Sequence, residues 1–362
     1  MYDFELFPYA LGDVLTWNVL SAIRAEELGR EHIDVYICLD ERYPSSIFQQ
    51  DLVTAENCAL LFNELFGAFG TLPRLDNIYV YRRRDELLER LRECSRGDAA
   101  NREVLDDYEQ ALTNRHQNLS TIEHLRRALA NRRDHEELID HFAKYVSSHQ
   151  RINAFAAKHG RIPLLCPSAG CIRDIDRIVT QRFAGKRVVA FHMRMRRLDA
   201  GYGAEFTYWR DSDFLEWYEF LHDAHKALPE VQFVTVGRIQ EKPLELLALP
   251  NVTSLRTLGL GLGHELSLIL NSDLFIGTSS GFAAMANFSR VPYFVTKMNR
   301  QSCIAYGIAP GSEQLPFALE HQKLVYEPET RELLMSLLER GLRGTTPGEG
   351  ATARSLESRH AR

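Results

Sequence analysis

Residues 271–289, NSDLFIGTSSGFAAMANFS, constrain the fold more than any other stretch. Leu274 to Ile276 is a short apolar run suited to a buried strand. Gly277-Thr278-Ser279-Ser280-Gly281 is a turn of small residues, and Phe282 to Phe288 has strong helical propensity. Ser279 or Ser280 can cap that helix. A strand, a small-residue loop and a helix start form one unit of a parallel α/β sheet. Such a loop admits a phosphate close to unpaired backbone N–H groups. It is also an ordinary βα turn, because Ser, Thr and Gly are good turn residues.

The rest of the chain repeats the alternation. Residues 2–7 alternate as a first strand, and Gly12-Asp13 opens a helix running to about Leu28. Ile33 to Leu39 is a second strand, followed by a helix near Asn57–Phe66 and a strand at Asn77–Tyr81. Arg161 to Leu165 is expected to return as a strand of the same sheet. Later strands are expected at Val188–His192, Val231–Val236, Val252–Leu255 and Tyr293–Thr296, with helices between them. This order implies parallel sheets covered on both faces. With 362 residues the chain exceeds one usual core, so two Rossmann-like domains are expected. The first covers 1–165 and the second 166–343, with a tail at 344–362 whose Gly, Thr, Ser, Arg and Pro content is that of a disordered segment. Residues 82–148 change character. They are rich in Arg, Glu, Asp, Asn and His with helical apolar spacing, and are expected to form a helical insertion in the first domain. The insertion is where an acceptor-side cap, a homo-oligomer contact or a peripheral membrane contact is expected. Arg82-Arg83-Arg84 at its start either attracts anions or forms a solvated face.

Composition excludes several classes. The net charge of −6 argues against general nucleic-acid binding. No apolar run is long enough for a membrane span, and Met1 leads directly into a strand-like segment, so a cytoplasmic protein is expected. The six cysteines are scattered with no CxxC pair, and no Cys/His cluster has ligand spacing, so neither disulfides nor a metal site are expected. There is no Gly-x-Gly-x-x-Gly and no P-loop Gly-Lys-Ser/Thr.

Chemistry concentrates at strand ends. Val188 to Phe191 leads into His192, Arg194, Arg196 and Arg197 at the carboxyl end of a strand, where open α/β sheets bind ligands. Several guanidiniums together suit a diphosphate, or pair with nearby acids such as Asp199 and Glu205. Gly237-Arg238 follows another strand and can approach a nucleotide, or is simply a turn with a surface arginine. Residues 201–211 form an aromatic, glycine-bearing loop carrying Tyr208 and Arg210, suited to a lid or a sugar-facing surface, or to a plain connector. Asp13, after Gly12, is the best general-base candidate, and equally a first-turn acid; Glu205 and Asp211 are weaker ones.

These residues carry resemblances. Gly12-Asp13-Val14-Leu15 resembles the Gly-Asp-Val-Leu segment of bacterial heptosyltransferases, whose aspartate is the proposed base. Ser279-Ser280-Gly281-Phe282 resembles their Asp-Thr-Gly-Leu donor-diphosphate loop, with Ser279 in place of Asp and Ala284 near their His. His192-x-Arg194 resembles the His-x-Arg-Arg of alpha-1,6 and protein O-fucosyltransferases, with Met195 in place of their second arginine. Residues 208–213 and 276–281 are similar to polysaccharide-associated bacterial glycosyltransferases. The resemblance implies the GT-B architecture: two Rossmann-like domains with a cleft, the second holding the donor. It implies an enzyme moving a sugar from a nucleotide-diphosphate donor, GDP slightly preferred, to a glycan or other hydroxyl acceptor. Inversion, no metal and no cofactor are expected, the nucleotide sugar being a substrate. Asp13 is then the base. His192, Arg194, Arg196, Arg197, Gly237, Arg238, Thr278, Ser279, Ser280 and Gly281 are then on the donor side, and Gly12, Tyr208 and Arg210 on the acceptor side. A non-catalytic GT-B-like nucleotide-binding or assembly protein is the alternative.

Overall fold

The computed structural model describes residues 1–46, 49, 52–114, 136–195 and 210–343, without the side chains of 136–146. Two parallel sheets organise these residues. The first is β1 (Tyr2–Asp3), β2 (Ile33–Cys38) and β3 (Leu75–Tyr81), in that order. The second has β4 (Arg187–His192), β5 (Val231–Thr235), β6 (Val252–Ser254), β7 (Leu274–Thr278), β8 (Tyr293–Thr296) and β9 (Gln322–Leu324). Its order is β6-β5-β4-β7-β8-β9, so the winding reverses between β4 and β7. That is the doubly wound arrangement, with its switch point at those two strands.

The helices are α1 (Leu11–Glu27), α2 (Cys58–Phe69), α3 (Arg84–Cys94), α4 (Ala99–Asn114), α5 (Glu136–His159), α6 (Ala169–Arg182), α7 (Phe214–Ala227), α8 (Leu244–Leu247), α9 (Leu262–Asn271), α10 (Gly281–Asn287), α11 (Arg300–Ala305) and α12 (Arg331–Leu342). Where the apolar spacing is long and regular the helices lie where expected. Where capping is local they start early: Ser168 Oγ accepts from Cys171 N and opens α6 at Ala169 rather than near Asp174.

The first strand is shorter than its alternation implies. The carbonyl of Asp3 accepts from Leu6 N and Phe7 N, each at 2.9 Å, and its carboxylate accepts from Glu5 N. These bonds curl the chain into a turn. The aromatic residues then gather around Tyr2, with Phe7 stacked at 4.8 Å and Phe4, Trp17 and Phe69 edge-on. The expected strand at Arg161–Leu165 is absent. Instead, Leu165 N donates to the Phe288 carbonyl and Cys166 N to the Thr71 carbonyl. The segment bridges helix ends that belong to different sheets.

The region 82–148 begins with α3 and α4, which cover β2 through Leu87, Leu91, Leu105, Tyr108 and Leu112. α5 continues past the expected boundary to His159, and Ile152, Phe155 and Ala156 join the main core. Residues 115–135, the tail 344–362, and Arg196, Arg197, Glu205 and Tyr208 lie outside the described residues. The arginine run at 82–84 is paired within the chain. Buried Arg84 bonds Asp3 at 2.9 Å, Arg83 meets Asp85, and Arg82 lies 3.9 Å from Glu41. Among the described residues no helix is long and apolar enough to cross a membrane.

One core runs through both sheets. Val14, Leu15 and Val19 of α1 share it with Ala283, Met285 and Ala286 of α10. A second core on the outer face of the larger sheet holds Trp217, Phe220, Phe233, Leu334 and Leu337. The two sheets meet at two glycine contacts. A Cβ on Gly281 would lie 2.6 Å from Leu11 Cβ and 2.9 Å from Gly12 N. A Cβ on Gly67 of α2 would lie 2.8 Å from Gly263 N of α9. No side chain fits at that separation, so backbone meets backbone. At Gly12 the corresponding distance, to Gly281 Cα, is 3.5 Å, an ordinary contact. Gly281→Ala should therefore cost about 1–3 kcal/mol through overpacking, whereas Gly12→Ala should cost much less. Equal effects of the two in chemical denaturation would contradict this geometry.

Candidate functional site at the sheet switch point

β4 and β7 run in register, with His192 opposite Gly277. They approach so closely that a Cβ on Gly277 would fall 2.8 Å from the His192 carbonyl oxygen. Past their carboxyl ends lie Met193-Arg194 and Thr278-Ser279-Ser280-Gly281. Ser280 Oγ caps α10, accepting from Ala283 N at 3.3 Å. α10 has only seven residues, so its backbone donors matter more than a macrodipole. Ser279 Oγ is 3.3 Å from the Tyr306 hydroxyl, which also accepts from Asn287 Nδ2.

Two arginines reach this loop region. Arg194 is mostly buried and sits 3.4 Å from an Asp211 carboxylate oxygen. Arg210 Nη1 donates to the Ser279 carbonyl at 3.2 Å. Arg210, expected on the acceptor side, lies against the Thr278–Gly281 loop, which was expected on the donor side. Asp211, considered as a base, is held by Arg194, and its carbonyl accepts from Lys297 Nζ. Lys297 takes φ of 52°, a strained left-handed conformation for a non-glycine residue.

His192 is buried, with its ring 4.9 Å from that of Phe282. Burial, with help from Lys242 and Arg194, lowers its pKa to about 3. It is a neutral imidazole and adds no positive charge at the switch point. The β5 end is built around Gly237, whose φ of 113° excludes other residues. Gly237 N donates to Glu265 Oε1 at 2.9 Å, and Lys242 Nζ donates to the Val236 carbonyl at 2.7 Å. Burial lowers the Lys242 pKa to about 8 and raises that of Glu265, which also binds Arg256 at 2.7 Å.

Gly12 and Gly281 touch, which places Asp13, in the first turn of α1, one residue from the switch-point loop. Beside that contact a cavity of 530 Å³ opens between the two sheets' elements. Tyr9, Leu11, Glu64 and Leu65 line one side, and Arg238, Arg256, Gly261 and Phe282 the other. The expected residues thus fall into two groups. Arg194, Arg210 and Thr278–Gly281 gather at the switch point, while Arg238 faces the cavity. Glu64, Lys242, Arg256 and Glu265 escaped the sequence reading. Glu64 carried a signal, being the one charged residue of α2. Glu265 looks like a solvated first-turn acid, and Lys242 carries no pattern at all. Among the described residues no group of His, Cys, Asp and Glu has metal-binding geometry.

The chain was compared with known proteins. No family model matches it, and no curated protein does. Solved structures do. A glycosyl transferase family 9 protein from Veillonella parvula aligns over 95% of this chain and 97% of its own, with TM-score 0.51 and 10% identity. The E. coli ADP-heptose LPS heptosyltransferase II aligns over 94% and 97%, with TM-score 0.50 and 13% identity. The fold is GT-B. The likeness spans nearly the whole chain, so both sheets and the helices between them are accounted for by GT-B.

The neutral state of His192 has a measurable consequence. Unfolded, the ring protonates near 6.5; folded, it resists down to about 3. Between those values the unfolded state binds more protons, so stability falls as pH falls. The slope from this group is at most about 1.4 kcal/mol per pH unit. His192→Gln should remove that share of acid destabilisation in urea titrations across the window. Parallel wild-type and variant curves would refute a neutral buried His192.

Proposed function

We propose that this chain is a glycosyltransferase that moves a sugar from a nucleotide-diphosphate donor to a hydroxyl acceptor, such as one on a glycan. The observation that carries the reading is the switch point, where Arg194, Arg210 and the Thr278–Gly281 loop gather beside Gly12-Asp13 of α1. The whole-length GT-B likeness supports it at the level of fold. A guanidinium pair with small-residue backbone suits the charge that develops on a diphosphate leaving group. Arg238, on the cavity wall, extends the donor site with a further guanidinium. His192 takes part as a neutral hydrogen-bonding or packing group, and Gly237 as the turn that aims Arg238.

In this mechanism the acceptor oxygen attacks the anomeric carbon. The bond from that carbon to the diphosphate oxygen breaks, and its electron pair leaves with the diphosphate. The acceptor proton passes to the Asp13 carboxylate. A single displacement with one base inverts the anomeric centre. Guanidiniums carry the leaving-group charge, and no metal or further cofactor is invoked. GDP is the favoured nucleotide, on the His192-x-Arg194 resemblance. The remaining proposed contacts are Arg196 and Arg197 on the donor side and Gly12 and Tyr208 on the acceptor side.

A second reading has its own observation. The Gly281 end of the loop is packed on Leu11 and Gly12, and one core joins the halves, as suits a nucleotide-binding or assembly protein without turnover. Two variants separate the readings. Asp13→Asn should lower transfer by at least about 100-fold while keeping nucleotide binding; unchanged turnover would remove Asp13 from the mechanism. Arg194→Ala should weaken nucleoside diphosphate binding about 10-fold or more, read by calorimetry. Unaltered affinity would end its assigned role. Binding without turnover against a wide acceptor panel would favour the second reading.

A further inference from the structure

The cavity wall holds an ion pair whose acidic partner has no part in the proposed reaction. Arg238 and Glu64 form it across the cavity, Arg238 from the β5 end and Glu64 from α2. The two side chains are half-exposed, at 50% and 39%, so the pair is accessible and adds little stability. Its geometry is nevertheless fixed from both sides. The Arg238 backbone follows Gly237, which is anchored to buried Glu265 and backed by Lys242. Glu64 lies three residues before Gly67, on the same face of α2, and Gly67 is pressed against Gly263 of α9. The second cavity arginine, Arg256, keeps 25% of its side chain exposed while its Nε and Nη2 bind Glu265.

We propose that the Glu64 carboxylate occupies the place of a ligand's anionic group, and that a phosphate-bearing ligand enters by displacing Glu64 from Arg238, with Arg256 as the second cationic contact. The proposal deepens the donor-site reading and rests on it for the identity of the ligand. The chemistry follows from charge matching. A carboxylate and a phosphate oxygen both take guanidinium N–H donors, but a phosphate brings more charge and can span two guanidiniums. Glu64 is then a selector. It opposes weak monoanions and neutral sugars, and yields to a diphosphate. Once displaced, it frees α2 from the β5 loop, so ligand entry and loosening of this contact are coupled.

The test is calorimetric titration of inorganic pyrophosphate and of GDP, UDP and ADP into the full chain. Wild type, Glu64→Gln, Arg238→Met, the double variant and Arg256→Met are compared. Glu64→Gln should tighten pyrophosphate binding about 3- to 10-fold, because the competing carboxylate is gone. Arg238→Met should weaken it by about 10-fold or more, and in that background Glu64→Gln should add nothing. Arg256→Met should weaken binding several-fold. A Glu64→Gln protein that binds pyrophosphate no better than wild type, or a full Glu64→Gln gain in the Arg238→Met background, would overturn the proposal. Tightened pyrophosphate binding with no nucleotide bound by any variant would uphold the exchange and defeat the donor-site reading. Nucleotide binding that ignores Glu64 would do the reverse. Circular dichroism of each variant verifies folding, and Glu64→Ala serves as a second probe should Glu64→Gln fold poorly.

Discussion

Backbone touching backbone between α1 and α10 is the constraint on which the rest of the molecule depends. Only glycine can open α10 at position 281, because Leu11 and Gly12 stand where a side chain would be. That contact fixes the start of the first sheet's leading helix over the switch point of the second. It brings Asp13 beside the Thr278–Gly281 loop without any bond between them being required. The Gly67–Gly263 crossing repeats the device between α2 and α9. The cavity is lined by neighbours of both contacts, Leu11 and Phe282 from one and Leu65 and Leu262 from the other.

Polar groups around the site follow from the same geometry. Bringing sheet ends and helix ends together buries donors and acceptors that must then find partners. Glu265 is fully buried because it answers Gly237 N on one side and Arg256 on the other. His192 resolves its burial differently, by giving up its charge. The Asp3–Arg84–Tyr108 cluster does similar work at the ends of the first sheet, tying α3 and α4 to β1.

Much of this was legible in the sequence, and what was missed has physical causes. The strands of the larger sheet are runs of apolar residues bounded by turns, and local pattern suffices for them. β9 is three residues, Gln322-Lys323-Leu324, and takes its strand character from pairing with β8, which no pattern within it announces. α11 is six residues, too short for apolar periodicity, although Asn299 caps it. The strand expected at 2–7 stops at Asp3 and the one expected at 161–165 is absent, because hydrogen bonds to Asp3, Thr71 and Phe288 won over pairing within the sheet. At the site, Arg194 and the Ser-Ser-Gly loop stood out by residue type and position. Arg210 was singled out too, but its bond to the Ser279 carbonyl was not foreseen, since a contact distant in sequence leaves no local trace. Lys242 and Glu265 were silent for the same reason.

The single core that runs through both sheets bears on how such a chain can change over time. Leu15 and Val19 on one side and Met285 and Ala286 on the other are mutual solvent shields. Exchanging the half built on the larger sheet for that of another protein would strip apolar surface from the half left behind. Change in such a chain is therefore expected to arise by substitution within loops, such as the one after β5, rather than by shuffling halves.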